Sequence, residues 1–560
     1  MSLGGVFLSE RILKGIQPDV IYKNGNILTV DDQNSIVQSV AIKGNRFCAV
    51  GTNEEVMATA GSETKIVDLN GKTVIPGIID SHNHILDAGT LMEGIMLFGI
   101  ASIEDLKQVI AEKVKITPKH EWIQGGGWIE SQFKEYRMPT RWDLDEVAPD
   151  HPVVLNRLFA RSVCNSKALE LAGLTKDSPE PKRGSMDRDP ETGELTGVFR
   201  NGAQGLIHRV IPRGEIEDVQ AMIERRIKLA MNEYVRWGIT SVLDPGVSVS
   251  LMRAYQSVYQ KGEMPLRVHM MPEAYGLAAI FSDKCDPSDT EGILKYIGIK
   301  SPFGDEWLSI GALKFAMDGG IGSKTAMMNG PWVDGTKSEI PLRLDLDVMR
   351  ELFIKAHRLG WSIGIHTCGD MAQDIAVDAF DKAISAYPRD DVRHNIIHGY
   401  LPTKYSLDLM KKHNIAVSLQ PGFMYVEGDI YWDALTEEQI HYFKPIRTYL
   451  DHGIKVACNS DMTSAHYDPF YGMYSVVARK TSQGRSLGEK EKVSREEMLR
   501  LFTINGAWLT FEEKTKGSIE VGKLADMAVL SDNILTVAED EIKNLTVDLT
   551  VIDGKIAYHK

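Results

Sequence analysis

Short apolar runs broken by turn residues open the chain. VIYKNGNILTV (20–30) holds two such runs around Asn24-Gly25, and that arrangement predicts a hairpin. Ser39–Lys43 and Arg46–Val50 flank Gly44-Asn45, a second turn. The pattern returns at the far end in ADMAVL (525–530), LTVDLTVIDG (545–554) and KIAYHK (555–560), with Asp553-Gly554 as the turn. Both ends therefore read as strands around a different middle. The economical reading is a small β-sandwich domain made from residues 1–75 and 512–560, with a large domain, 76–511, between them.

The middle alternates apolar runs with helix-like segments. Eight runs predict strands: Val74–Ile79, Thr240–Leu243, Arg267–Met271, Ala312–Ala316, Ser362–His366, Asn395–His398, Ala416–Gln420 and Lys455–Asn459. Between them, 217–238 and 347–360 carry apolar residues at helical spacing, and each ends on a glycine suited to a helix C-terminus. This is the βα pattern. It predicts an α/β chain built on a (β/α)8 TIM-like barrel. About 160 residues separate the first and second strands, so residues near 100–210 read as an insertion, with loop signals at Gly125–Gly127 and 187–197.

Candidate chemistry sits at the ends of these strands, where barrel enzymes place their sites. IIDSHNH puts His82 and His84 two apart, so on a strand both imidazoles face one way. With 15 histidines in 560 residues, about 0.4 H-x-H matches arise by chance, so this pair alone is weak. His366 and His398 end two other runs, and Asp461 follows a third. Singly, each reads as an ordinary strand-end residue. Together they gather metal-ligand types at one mouth. Lys314 lies inside an apolar run, where a charge is costly. It can snorkel, pair with Asp318, or be a neutral amine that captures CO2, and the residue pattern leaves these open.

The set DSHNH, Lys314, His366, His398 and Asp461 resembles the amidohydrolase superfamily in its dinuclear form. VIPGIIDSHNH, NSKALELAG (165–173), GALKFAMDGGIGSKTA (311–326), HTCGDMAQD (366–374), SLQP (418–421), NSDMTS (459–464) and GSIEVGKLADMAVL (517–530) are similar to its amidohydrolase-3 branch, which includes the N-substituted formamide deformylases. The resemblance implies two divalent metal ions, zinc foremost, with carboxylated Lys314 as bridge. His82, His84 and Asp461 would hold one ion, and His366 and His398 the other. It implies hydrolysis of a non-peptide C–N bond in a small molecule, such as an N-formyl or N-acyl amide, with Asp461 as general base and then acid. A deaminase, lactonase, esterase or hydratase would use the same site. A mononuclear enzyme with Lys314 as a plain amine, or a scaffold without catalysis, is the remaining alternative. Where the branch often carries a histidine, Arg157-Leu-Phe-Ala-Arg161 has Arg161, suited to a substrate carboxylate or to the surface. His269 and Trp128 are the other candidate substrate contacts, weighed against plain structural roles. Cys368 and Cys458 lie close to ligands but read as packing residues.

Charge and composition narrow the partners. There are 63 basic and 77 acidic residues, a net charge of −14, which disfavours nucleic acid and anionic membrane as partners. No run of 18 apolar residues and no secretory leader is found, so no membrane span or export is expected. The five cysteines are scattered without a C-x-x-C, which suits a reducing, cytoplasmic setting. Relatives are often oligomeric, which leaves a homo-oligomer open.

Overall fold

The structure, a computed structural model, describes residues 12–157, 161–181, 184–212, 216–275, 287–296, 298–338 and 345–560. The opening residues and 158–160 of the Arg157–Arg161 stretch lie outside it.

The eight predicted strands of the middle are present, but the first, Val74–Ile79, divides at Gly77, and only its second part, Ile78–Asp80, joins the other seven. The eight are β1 (Ile78–Asp80), β2 (Ile239–Val247), β3 (Arg267–Pro272), β4 (Leu313–Ala316), β5 (Ile363–Thr367), β6 (Asn395–His398), β7 (Ala416–Leu419) and β8 (Val456–Cys458). β1, β2 and β3 pair in parallel, and so do β4 to β8, each with the next in the chain. The described residues thus form two five-stranded sheets. Between them, Leu308–Ile310 pairs with β3 and leads straight into β4. Gly311 at that joint donates its N–H to Met270 O (2.8 Å), and Ala274 N donates to Lys314 O (2.9 Å). At the other margin, Ser81 Oγ donates to Cys458 O (3.1 Å) and Asp461 N to His82 O (2.9 Å), joining the ends of β1 and β8. The fold is mixed α/β. Its parallel strands are buried on both faces, which explains why they read as unbroken apolar runs.

The helices follow the same logic. Leu346–Arg358 starts where the Asp345 side chain accepts from the N–H groups of Asp347 and Val348. It stops before Gly360, whose φ of +96° a residue with a Cβ rarely adopts. Met349, Leu352, Phe353 and Ala356 form its buried stripe. Phe353 meets Phe315 of β4 edge-on at 4.8 Å and stacks on Phe380 at 5.3 Å. A Phe so enclosed contributes on the order of 3–5 kcal/mol.

The two ends of the chain form two further sheets. One has the order Arg46–Gly51, Ser39–Lys43, Val20–Lys23, Lys65–Asp68. The other has Lys555–His559, Val547–Ile552, Met527–Leu530, Thr73–Pro76, Asn26–Leu28, Ile36–Val37. One buried cluster draws Tyr22, Val40 and Phe47 from the first and Ile27, Met527 and Val551 from the second. The turns at Gly44-Asn45 and Asp553-Gly554 are hairpins, as expected. Asn24-Gly25 is not. The strands on its two sides belong to different sheets, so the chain crosses over there. Asn24 takes φ +56° and donates to Asp68 Oδ2 (2.7 Å), and a Cβ on Gly25 would sit 2.6 Å from Leu69 Cδ1. The turn signal was genuine, but it serves a crossing.

The segment read as an insertion near 100–210 overlaps a six-stranded sheet whose first strand starts at Ile95. Ile95–Met96 is the edge of this sheet, which continues through Ile123–Gly126, Val153–Arg157, Arg161–Cys164, Leu195–Arg200 and Ser185–Arg188. Gly125 and Gly126 lie within a strand rather than a loop. A Cβ at Gly126 would meet Asn156 O at 2.0 Å, so the sheet requires glycine there.

Candidate metal centre

The H-x-H pair lies just past β1, in the turn that starts helix Ile85–Glu93, not on the strand itself. The rings still converge, with centroids 5.4 Å apart. Asp461 comes to them from beyond β8 with φ +49°. Its Oδ1 lies 3.4 Å from His84 Nε2 and 3.7 Å from His82 Nε2. Two ligands of one tetrahedral zinc-like ion stand about 3.3 Å apart, given bonds of about 2.0–2.1 Å. Asp461 Oδ1 is buried and makes no hydrogen bond, and buried His82 Nδ1 also lacks a partner. An acceptor-only atom sealed against two imidazole nitrogens suits a shared cation.

The second group faces the first. His366 stands on β5, and His398 ends β6 with φ +81°. His82 and His398 ring centroids are 6.1 Å apart. His398 Nε2 and His366 Nδ1 are 2.7 Å apart, closer than two ligands of one ion. The far nitrogen of each ring faces an acceptor: Gly319 O lies 3.3 Å from His366 Nε2, and Gln420 Oε1 lies 2.6 Å from His398 Nδ1. If both far nitrogens carry hydrogens, both near nitrogens present lone pairs to one spot, and a cation is what reconciles them. Cys368 Sγ lies 3.5 Å from His366 Nε2, so the thiol touches this pair rather than only filling space. The described residues thus gather two ligand groups, His82–His84–Asp461 and His366–Cys368–His398.

Lys314 is buried, and its charge bears on histidines of both groups. Burial, with the Lys314 charge next, pushes His82 far below the usual imidazole range and His366 to about 3. His398 is lowered by burial, then by His366 and Lys314. All three are therefore neutral, the form that binds metal. For His84 burial acts downward, but Asp461 outweighs it and raises the ring. Lys314 itself is lowered to about 7 by burial, with Asp461 acting against that. It does not pair with Asp318, one of the sequence alternatives. That carboxylate accepts the N–H groups of Cys368 (2.9 Å), Gly369 (2.8 Å) and Met327 (2.9 Å).

Asp80, the first residue of DSHNH, was not singled out in the sequence. It is buried and ties the end of β1 to the loop after β8. Oδ1 accepts from His82 N (3.4 Å) and Ser460 N (3.1 Å), and Oδ2 from Asn83 Nδ2 (2.9 Å) and Ser460 Oγ (2.6 Å). Burial raises it to about 6, against the pull of these donors. Gln420 was also missed. The signal available was a polar residue closing an apolar strand, one residue past β7.

The three candidate substrate contacts do not join this group. Trp128 is 1% exposed and packs with Leu97, Phe133 and Leu155 in the core of the inserted segment. Its ring anchors that segment. His269 was expected at the rim, but β3 runs on past it. Glu273, four residues further, pairs with Lys314, so His269 lies roughly 13 Å lower along the strand. There it contacts Ser309 Oγ (2.7 Å). Arg161 Nη1 donates to Glu130 Oε1 (2.7 Å). Glu130 also binds Arg157, which reaches Glu427 beyond β7 (3.2 Å) and so fastens the insertion to the main fold. That engagement leaves less of the Arg161 charge for a substrate carboxylate.

Comparison with known proteins agrees with the geometry. The family model of the amidohydrolase family matches residues 65–558. N-substituted formamide deformylase from Arthrobacter pascens is 30% identical over 97% of this chain and 98% of its own. An uncharacterized metal-dependent hydrolase from Pyrococcus furiosus superposes with a TM-score of 0.70 at 26% identity, over 92% of this chain and 100% of that one. A second, from Pyrococcus horikoshii, shares the fold with a TM-score of 0.71 at 24% identity, over 93% and 99%.

Proposed function

The chain belongs to the amidohydrolase family and is a metal-dependent hydrolase of carbon–nitrogen bonds other than peptide bonds; from that premise we propose that it cleaves a small amide, of the N-formyl or N-acyl kind, with two divalent ions. The observation that carries this reading is the convergence of Asp461, His82 and His84 opposite His366 and His398, with buried Lys314 close enough to act on the histidines of both groups. His82, His84 and Asp461 would hold one ion, and His366 and His398 the other, zinc being well suited to both sets. Lys314, with a pKa near 7, has a neutral amine available to add CO2 and lose a proton, giving an anionic bridge.

When bound, the ions lower the pKa of a water molecule and polarise the amide carbonyl. Asp461, through the carboxylate oxygen not given to the ion, takes the proton of that water as the water oxygen bonds to the carbonyl carbon. As the C–N bond breaks, Asp461 returns the proton to the leaving nitrogen. The products are a carboxylate and an amine. Asp80 and Asp318 keep the loops that carry the ligands in place.

We place this chemistry in a closed (β/α)8 barrel spanning 76–511, with the two terminal sheets as a β-sandwich of residues 1–75 and 512–560. The alternation of parallel strands and helices and the shared core of the terminal sheets support this division. The four described cysteines are buried and unbonded, which suits the cytoplasm. No described helix is long and apolar enough to cross a membrane.

The test is metal content by elemental mass spectrometry on wild type and Lys314→Ala, followed by a screen of N-formyl and N-acyl amines. About two metals per chain, falling sharply in the variant, with amide cleavage, is the expected result. One metal, unchanged in the variant, refutes the bridged pair. No metal taken up even in bicarbonate refutes the catalytic reading.

A further inference from the structure

Gln420 is fully buried one residue past β7, and no step above uses it. Its Nε2 donates to Ser418 O (3.2 Å), which turns Oε1 toward His398 Nδ1 at 2.6 Å. An amide oxygen only accepts, so His398 Nδ1 must carry the hydrogen. A neutral imidazole has one N–H, which leaves the lone pair on Nε2, the nitrogen that faces His366. Tyr400 Oη, at 3.3 Å, is the other neighbour of Nδ1 and holds it less tightly.

Gln420 is itself anchored. The Lys444 ammonium donates to its backbone oxygen at 2.5 Å. Lys444 is buried, with its Nζ 4.2 Å from the Tyr400 ring centre and 4.5 Å from that of Phe423, and its own carbonyl accepts from Arg479 Nη1 (3.0 Å). Main chain and side chain of Gln420 are therefore both fixed. Among the described residues it makes no hydrogen bond to His82, His84 or Asp461.

We propose that Gln420, anchored by Lys444, is the positioning residue that sets the tautomer of His398 and thereby builds the second metal position, at His366 and His398, without building the first. The inference rests on the two-metal reading given above. It separates the two positions. Loss of the acceptor weakens the second by roughly 10- to 100-fold, the usual effect of removing a hydrogen-bond partner from a metal-bound histidine. The first keeps its affinity.

The experiment titrates Zn2+ into metal-free wild type, Gln420→Met and Gln420→Glu against a competing chelator. Co2+ absorption then reports on each position in turn. Methionine keeps the size and removes the acceptor. Glutamate keeps the acceptor and, held protonated by burial, still donates to Ser418 O from its other oxygen. The expected result is one unchanged and one weakened Zn2+ equivalent in Gln420→Met, a matching loss of half the Co2+ signal, and both restored in Gln420→Glu. Wild-type affinity for both equivalents in Gln420→Met overturns the proposal. Equal weakening of both equivalents in both variants also overturns it, since Gln420 would then be merely structural. A wild type that binds fewer than two metals defeats the two-metal reading instead, and the two failures are thus distinct.

Discussion

Asp80→Asn is a nearly isosteric change that the hydrogen-bond pattern around it forbids. All four partners of the carboxylate are donors: His82 N, Ser460 N, Asn83 Nδ2 and Ser460 Oγ. An amide NH2 in the place of Oδ1 would face two backbone N–H groups. In the place of Oδ2 it would face Asn83 Nδ2 and Ser460 Oγ. That hydroxyl cannot turn to accept, because its lone pairs already receive Asn83 Nδ2 (3.0 Å) and Met462 N (3.2 Å). Either way two buried donors lose their acceptor, each at about 1–3 kcal/mol, so the expected loss is about 2–6 kcal/mol. Asp80→Ala removes the acceptors too but leaves room for a water that can bond to the stranded donors. Asparagine should therefore be at least as damaging as alanine. Urea unfolding of the metal-free proteins, followed by tryptophan fluorescence, measures the order. Asparagine within about 0.5 kcal/mol of wild type, the range of an ordinary surface change, would refute the reasoning.

Three further outcomes are expected. Asp461→Asn should retain part of its metal yet lose roughly 10²–10⁴-fold in rate, as removal of a general base does; paired metal and rate measurements check this, and a rate that falls only in step with metal content counts against the proton-transfer role. Gly311→Ala would put a Cβ 1.7 Å from His269 Nε2, so melting should report a loss of about 1–3 kcal/mol from overpacking, largely recovered in Gly311→Ala/His269→Ala. Glu93 is raised by burial but brought below its ordinary value of 4.5 by Arg225 and Arg226, so its folded pKa is the lower one. Its contribution is then complete above about pH 4.5 and fades on acidification; the gap between unfolding curves of wild type and Glu93→Gln should be full at pH 6 and narrow steadily as the pH falls below 4.5, and a constant gap would contradict the assignment.

The strands were legible because parallel strands covered on both faces leave unbroken apolar runs, and the ligand types stood out as polar residues at their ends. His82, His84, His366, His398 and Asp461 could be gathered in advance for that reason. Contacts between remote residues were not legible. Asp80 and Ser460 are 380 positions apart, and nothing local to either announces the other. Gln420 belongs with them, since its task is defined by His398 on a neighbouring strand. His269 was misplaced because an apolar run does not reveal where a strand stops. For Trp128 and Arg161 the sequence left a structural role open beside substrate contact, and the structure shows Trp128 in a core of residues 95–198 and Arg161 paired with Glu130. At Asn24-Gly25 the turn chemistry was right and its use was wrong. A reversal and a crossing need the same backbone freedom.

The interleaved ends of the chain have a consequence during synthesis. Thr73–Pro76 is complete early, yet the strand that covers one of its edges, Met527–Leu530, emerges about 450 residues later. At roughly 5–20 residues per second, that edge waits about 20 to 90 seconds for its neighbour. Throughout that interval the early strands present an open apolar ladder to other nascent chains. Slowing the ribosome lengthens the exposure, and a chain released before residue 527 never ends it. Yield of this protein should therefore depend on elongation speed and on holding chaperones more than the stability of the finished fold would suggest.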